Sequence, residues 1–124
     1  MSKKFSITDR LKSFGYAING LRYSIRTQHN ILIHIILAII AITLGFLLNI
    51  SNFEWIAIII IIGLVISAEI FNTSIEELVN LVSPHKNEKA EIIKDLAAGA
   101  VLILAITAFI TGLIIFLPKI IILL

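Results

Sequence analysis

The chain has 124 residues, of which 59% are apolar and 15% are charged, and it contains no cysteine. Soluble domains average about 45–50% apolar and about 25% charged residues, and here the apolar residues are gathered into long blocks. A water-soluble domain with a single core is therefore excluded as the default, although one domain is expected at this length. The absence of cysteine excludes disulfides, thiolate metal sites and a cysteine nucleophile. The net charge of +2 is too small to indicate nucleic-acid binding.

The first predicted element is an amphipathic helix over residues 5–28. Its apolar side chains recur at spacings of three and four and form one stripe, made of Leu11, Phe14, Ile18, Leu21 and Ile25. Thr8 or Asp9 is placed to cap its start. Basic residues surround the stripe, which is typical of a helix lying in the interface of an anionic membrane leaflet. A soluble helix that packs on the loops is the alternative.

Three apolar stretches follow, and we expect each to form a transmembrane helix, over residues 31–49, 55–82 and 90–117. A span needs about 20 apolar residues to cross a hydrocarbon core about 30 Å thick. None of the stretches has the features of a signal peptide, and the second extends beyond its apolar part into the cytosol. The third is expected to stop at Pro118, because proline removes a backbone donor and clashes with the preceding turn.

Lysine and arginine residues predict the orientation of these spans. The segment 49–54 has none, three lie in the segment 83–95, and six precede the first span, namely Lys3, Lys4, Arg10, Lys12, Arg22 and Arg26. Positively charged loops stay in the cytosol. The N-terminus and the 83–95 segment are therefore predicted to be cytosolic.

The second span carries polar side chains within the predicted membrane. Glu69, Asn72, Thr73 and Glu76 share one side of the helix, which we call the polar face. A charged side chain at mid-membrane costs about 2.5–3.5 kcal/mol, so an acid there indicates a functional site. Measured from Trp55, Glu69 lies about 21 Å and Glu76 about 31 Å along the helix axis. Glu69 is thus expected below the inner surface, and Glu76 at the headgroup level.

The third span begins at the same level, with Lys94 and Asp95 followed by small residues that allow close helix approach. Glu88, Glu91 and Asp95 are spaced three and four apart, so they share one side if this stretch is helical. Acidic, amide and basic groups from two helices thus meet at the cytosolic boundary. This composition can hold a divalent cation and a polyanion, because carboxylates bind Mg²⁺ and lysine neutralises phosphate.

The same residues allow other interpretations. Glu69 and Glu76 are alternatively structural groups that hydrogen-bond between subunits. His34 is more often a buried, satisfied histidine or an interface residue than a ligand. A small proton or cation conductor is the alternative function, because intramembrane acids also mark ion pathways, although the apolar outer half of the second span argues against it. A non-catalytic membrane assembly factor is a third class.

Several segments resemble the bacterial diacylglycerol kinase and undecaprenol kinase family of small membrane enzymes. They are residues 68–76 (AEIFNTSIE), 94–102 (KDLAAGAVL), 15–16 (GY) and 20–22 (GLR), in the order and separation of that family over nearly the whole chain. Residues 114–119 (IIFLPK) are more similar to the undecaprenol kinase branch. The resemblance implies an all-α homotrimer in the bacterial cell membrane, with active sites shared between subunits. It also implies transfer of the ATP γ-phosphate to undecaprenol or diacylglycerol, with Mg²⁺ as cofactor.

The resemblance further implies a role for individual residues. Glu69 matches the catalytic base, with Asn72 beside it to orient the base or the lipid hydroxyl, and Glu76 matches a metal-binding acid. Arg22 and Gly99, within two of the similar segments, are assigned with Glu69 to the lipid substrate. The nucleotide side is assigned to Tyr16, Lys94, Asp95, Arg10 and Glu88.

Three positions depart from the family pattern. Gln28 stands where many members have a metal-binding glutamate, and an amide is a weaker Mg²⁺ ligand because it is neutral. Asn80 stands where an aspartate is usual, so a charge is missing there. Residues 85–87 do not match the family cleanly, which leaves Tyr16 as the predicted contact to the nucleotide base.

Overall fold

The computed structural model describes residues 4–124, so Lys3 of the basic N-terminal flank lies outside the described residues. This part of the chain forms four helices, α1 (Ile7–Thr27), α2 (His29–Leu47), α3 (Asn52–Val82) and α4 (Glu88–Leu123). The last three are each long and apolar enough to cross a membrane. The prediction of an all-helical chain with three candidate spans is therefore confirmed. α3 is the central helix, packed mainly along α4 and then along α2.

α1 begins after Ser6, whose Oγ accepts a hydrogen bond from the Asp9 backbone N–H at 3.4 Å. The prediction that Thr8 or Asp9 caps the helix is wrong, because both lie within the first turn. At that position the negative charge of Asp9 interacts favourably with the positive end of the helix dipole. The apolar stripe of α1 is largely exposed, and Ser24 is the buried residue of this helix. α1 ends where Gln28 adopts an extended conformation, and α2 begins at the next residue.

The turn between α2 and α3 is fixed by hydrogen bonds at both helix ends. Asn49 adopts a left-handed conformation with φ of 48°, and the Ile50 N–H donates to the Gly45 carbonyl at 3.2 Å, as in a Schellman motif. Ser51 and Glu54 then form a reciprocal capping box that starts α3. Helices α2 and α3 therefore run antiparallel through a turn that leaves few unsatisfied backbone groups.

α4 does not stop at Pro118, contrary to the prediction, but continues to Leu123. Lys119 Nζ lies 3.1 Å from Glu54 Oε1, and Ile120 packs against the buried apolar cluster at this end of the bundle. These tertiary contacts hold the turn after the proline, and neighbouring helices commonly allow proline within membrane helices.

The buried apolar cluster and the buried polar residues lie toward opposite ends of the bundle. The apolar cluster consists of Ile50, Ile58, Ile115 and Phe116, close to the α2–α3 turn. The buried polar residues are Ser24, Glu69 and Thr73, toward the opposite end. One end of the bundle thus holds the apolar cluster, and the other end carries the polar face together with buried apolar residues such as Ile31, Val79 and Val101.

Candidate active site

Glu69 is the buried acid of the described residues, with 4% of its surface exposed. It lies on α3, and its Oε1 is 3.1 Å from Nε2 of His34 on α2. The Thr73 hydroxyl donates to the Glu69 backbone carbonyl at 3.0 Å and not to the carboxylate. The carboxylate therefore points into the helical bundle, toward α2.

Asn72 and Glu76 contact each other one turn further along the polar face. Asn72 Nδ2 donates to Glu76 Oε1 at 3.5 Å. The amide of Asn72 thus faces Glu76 and not Glu69, the carboxylate it was expected to orient. Its Oδ1 is buried and has no hydrogen-bond partner among residues 4–124.

This pair offers oxygen ligands suited to Mg²⁺. Mg²⁺ usually takes one or two protein carboxylates together with substrate phosphates and water, and Glu76 with the unpartnered Oδ1 of Asn72 fits that donor set. Within the described part of the chain, no group of three or more histidine, aspartate or glutamate side chains could hold a metal ion alone. An ion here would take its remaining ligands from the nucleotide and from water.

Lys94 joins α4 to the same end of α3. Its Nζ donates to Asn80 Oδ1 at 2.6 Å, and Asn80 follows Glu76 by one helical turn. Because the amide is neutral, it fixes the position of the ammonium group without cancelling its charge. Lys94 is therefore held near Glu76 with a positive charge available for a phosphate.

α1 is tied to α3 close to these residues. Tyr23 Oη donates to Glu77 Oε1 at 2.6 Å. This hydrogen bond raises the pKa of the Tyr23 phenol above its ordinary value, and desolvation and the negative charge of Glu77 add to the effect. Glu77 is exposed, and through this hydrogen bond it anchors α1 to α3.

The predicted residues of α1 stay apart from the polar face within this chain. Tyr16 is 70% exposed, and Arg10 and Arg22 are also exposed. In residues 4–124, no hydrogen bond or ion pair connects these three side chains to the polar face. Gln28 is half-buried at the junction of α1 and α2.

Two of the other three predicted residues of α4 line an open recess on that helix. Asp95 and Gly99 line it, and a Cβ on Gly99 would have no neighbour within 4 Å. Glu88 lies in the first turn of α4 and is exposed. Lys94 thus contacts α3, whereas the adjacent Asp95 borders the recess.

An apolar cavity of about 240 Å³ has His34 in its lining. Helices α2, α3 and α4 line it with aliphatic and aromatic side chains, including Leu37, Val65 and Phe109. His34 is the one polar side chain in its lining. The cavity therefore extends from His34, the partner of the buried carboxylate, into the apolar part of the bundle.

Two side-chain contacts, between His34 and Glu69 and between Tyr23 and Glu77, were not predicted from the sequence. A signal for the first pair was present, because His34 and Glu69 both lie toward the predicted cytosolic ends of their helices and hence at similar depth. The sequence offered no comparable signal for the second pair, which depends on the angle at which α1 crosses α3.

Residues 15–116 match the prokaryotic diacylglycerol kinase family. The chain belongs to this family. The matched region of this diacylglycerol kinase family member contains the whole polar face, His34 and Lys94. The resemblance drawn from the sequence motifs is thus confirmed.

Two relatives define the class of enzyme. The undecaprenol kinase of Bacillus subtilis (strain 168) is 41% identical over 108 residues, which cover 87% of this chain and 88% of the relative. The diacylglycerol kinase of Synechocystis sp. is 40% identical over 103 residues, which cover 82% of this chain and 59% of the relative. This member of the prokaryotic diacylglycerol kinase family is therefore a lipid kinase and a multi-pass membrane protein. Nothing in these similarities supports the ion conductor.

Proposed function

We propose that this lipid kinase transfers the γ-phosphate of ATP to the hydroxyl of a membrane lipid alcohol at the polar face of α3. Undecaprenol is the proposed substrate and diacylglycerol the second candidate. The chain is about equally identical to the two relatives, at 41% and 40%, so the preference for the polyprenol rests on residues 114–119 (IIFLPK), which are more similar to the undecaprenol kinase branch.

The burial of Glu69 against His34, which lines the apolar cavity, carries the proposal. The hydroxyl-bearing end of a lipid chain in this cavity, which at about 240 Å³ takes only part of such a chain, would bring the hydroxyl toward His34 and Glu69. An ionised carboxylate at this position accepts the hydroxyl proton while the oxygen attacks the γ-phosphorus. The new phosphorus–oxygen bond forms as the bond to the β–γ bridging oxygen breaks, and ADP leaves.

The charges required by phosphoryl transfer come from the cytosolic end of the same face. Such reactions depend chiefly on positioning and charge neutralisation. Lys94, held by Asn80 at 2.6 Å, would offset charge on the transferred group. Glu76 and Asn72 Oδ1 would hold Mg²⁺, which when bound neutralises phosphate charge.

We propose that a homotrimer completes the nucleotide site. Tyr16 and Arg10 on α1 do not contact the polar face in one subunit, and Asp95 borders an open recess. A neighbouring subunit would bring such groups together with Glu88. The site would then face the cytosol of a bacterial cell, with the N-terminus on the same side of the cell membrane.

The test is a comparison of acceptors. Purified protein in detergent micelles receives Mg²⁺, γ-labelled ATP and undecaprenol, diacylglycerol or no lipid. Labelled undecaprenyl phosphate should form fastest, and chelation of Mg²⁺ should stop the reaction. The proposal fails if neither lipid is labelled, and cation currents from the same preparation in planar bilayers would then favour the conductor.

A further inference from the structure

We propose that His34 is a positioning residue that orients Glu69 for proton transfer from the lipid hydroxyl. The inference rests on the proposed function, because orientation of Glu69 matters only if Glu69 is the base. It starts from a contact between two spans. His34 on α2 and Glu69 on α3 meet at 3.1 Å, with 18% and 5% of their side-chain surfaces exposed.

The direction of this hydrogen bond follows from the chemistry of the base. A carboxylate able to accept a proton is ionised and has only acceptor sites. The shared hydrogen must therefore reside on His34 Nε2, which donates to Oε1 of Glu69. Among residues 4–124 no other side chain hydrogen-bonds to this carboxylate, so Oε2 is the oxygen left for the lipid hydroxyl.

The surroundings make His34 the residue that sets this orientation. Asn72, the other candidate, donates to Glu76, and the Thr73 hydroxyl is engaged with a backbone carbonyl. The cavity side offers only aliphatic and aromatic groups apart from His34 itself. A rotated Glu69 carboxylate would lose its partner in an apolar environment, which is costly. The imidazole thus holds Oε1 and leaves Oε2 directed to the substrate.

Three substitutions separate positioning from simple packing. His34→Gln places an amide N–H close to the position of Nε2, His34→Asn is polar but too short to reach Oε1, and His34→Leu keeps bulk without a donor. Each purified variant is assayed with ATP and the preferred lipid alcohol, and its thermal midpoint is recorded in the same detergent.

We expect kcat to fall about 10²-fold in the Asn and Leu variants, as for a misplaced reacting group. The KM values for ATP and lipid should stay near those of the wild type, and the Gln variant should recover most of the lost kcat. The inference is overturned if Gln and Asn variants have the same kcat, or if kcat in all variants follows the thermal midpoint. The Gln–Asn comparison decides the inference even when the Leu variant does not fold.

Glu69→Gln is assayed in the same series to keep the two hypotheses apart. Wild-type turnover by Glu69→Gln would contradict the proposed function itself. An inactive Glu69→Gln together with a fully active His34→Asn would overturn the role of His34 and leave the proposed function standing.

Discussion

Replacement of Gly45 by alanine tests how tightly α2 and α3 are locked at the turn that joins them. A Cβ on Gly45 would lie 2.6 Å from Cη2 and 2.9 Å from Cζ2 of the Trp55 ring, and 3.1 Å from Cδ1 of Ile50. Ordinary contacts begin at 3.4 Å, so the ring is about 0.8 Å too close. The Phe46 ring packs on Trp55 with a centroid separation of 4.8 Å, which restricts its retreat.

Two opposing contributions set the expected change in the stability of Gly45→Ala. Insertion of a methyl group into a packed site costs about 1–3 kcal/mol, whereas alanine favours a helix over glycine by about 1 kcal/mol. Gly63→Ala on α3 is the matched control, because a Cβ there has no neighbour within 4 Å. The two variants share the gain in helix propensity, so Gly45→Ala should be less stable than Gly63→Ala by about 1–3 kcal/mol.

The assay is thermal unfolding of both variants and the wild type in one detergent, followed by far-ultraviolet circular dichroism. Gly45→Ala should have the lowest midpoint of the three proteins. Equal midpoints for Gly45→Ala and Gly63→Ala would refute the close packing of the Trp55 ring on Gly45.

Three further predictions concern the cytosolic end. Lys94→Met should lower kcat about 10²–10³-fold, as for loss of one charge-stabilising group; unchanged steady-state kinetics would exclude contact with the transferred phosphate. Tyr23→Phe should speed amide hydrogen exchange in α1, because it removes the bond to Glu77. In the wild type this hydrogen bond should persist below pH about 10 and be lost as the pH rises through the raised pKa of Tyr23. Equal rates of amide exchange in α1 of the wild type and of Tyr23→Phe would contradict the role of this bond. Gln28→Glu should lower the Mg²⁺ concentration for half-maximal activity, since it adds a carboxylate; an unchanged Mg²⁺ titration would place Gln28 out of reach of the ion.

The sequence predicts the helices because their signals are local. Each span is a long apolar run, and the amphipathic stripe of α1 repeats with the helical period. These local signals do not predict the C-terminal end of α4 correctly. Pro118 is a local stop signal, but the turn after it makes tertiary contacts, through the ion pair of Lys119 with Glu54 and through Ile120 on the apolar cluster, which the local sequence does not show.

The site, too, has a part that local spacing predicts and a part that depends on tertiary contacts. Helical spacing alone places Glu69, Asn72 and Glu76 on one face, and the contact between Asn72 and Glu76 agrees with that placement. The partner of Glu69 could not be derived from spacing, because His34 belongs to another helix and its contact depends on how α2 and α3 rotate against each other.

The most direct test of the central claim compares the rate of lipid phosphorylation by two variants, Glu69→Gln and Glu77→Gln. The two acids are of one type on one helix, but Glu69 is buried against His34 while Glu77 is exposed. Because a general base contributes about 10²–10⁴-fold, kcat should fall by that factor in Glu69→Gln and stay near the wild-type value in Glu77→Gln. Wild-type turnover by a folded Glu69→Gln would contradict the assignment of the buried carboxylate as the base.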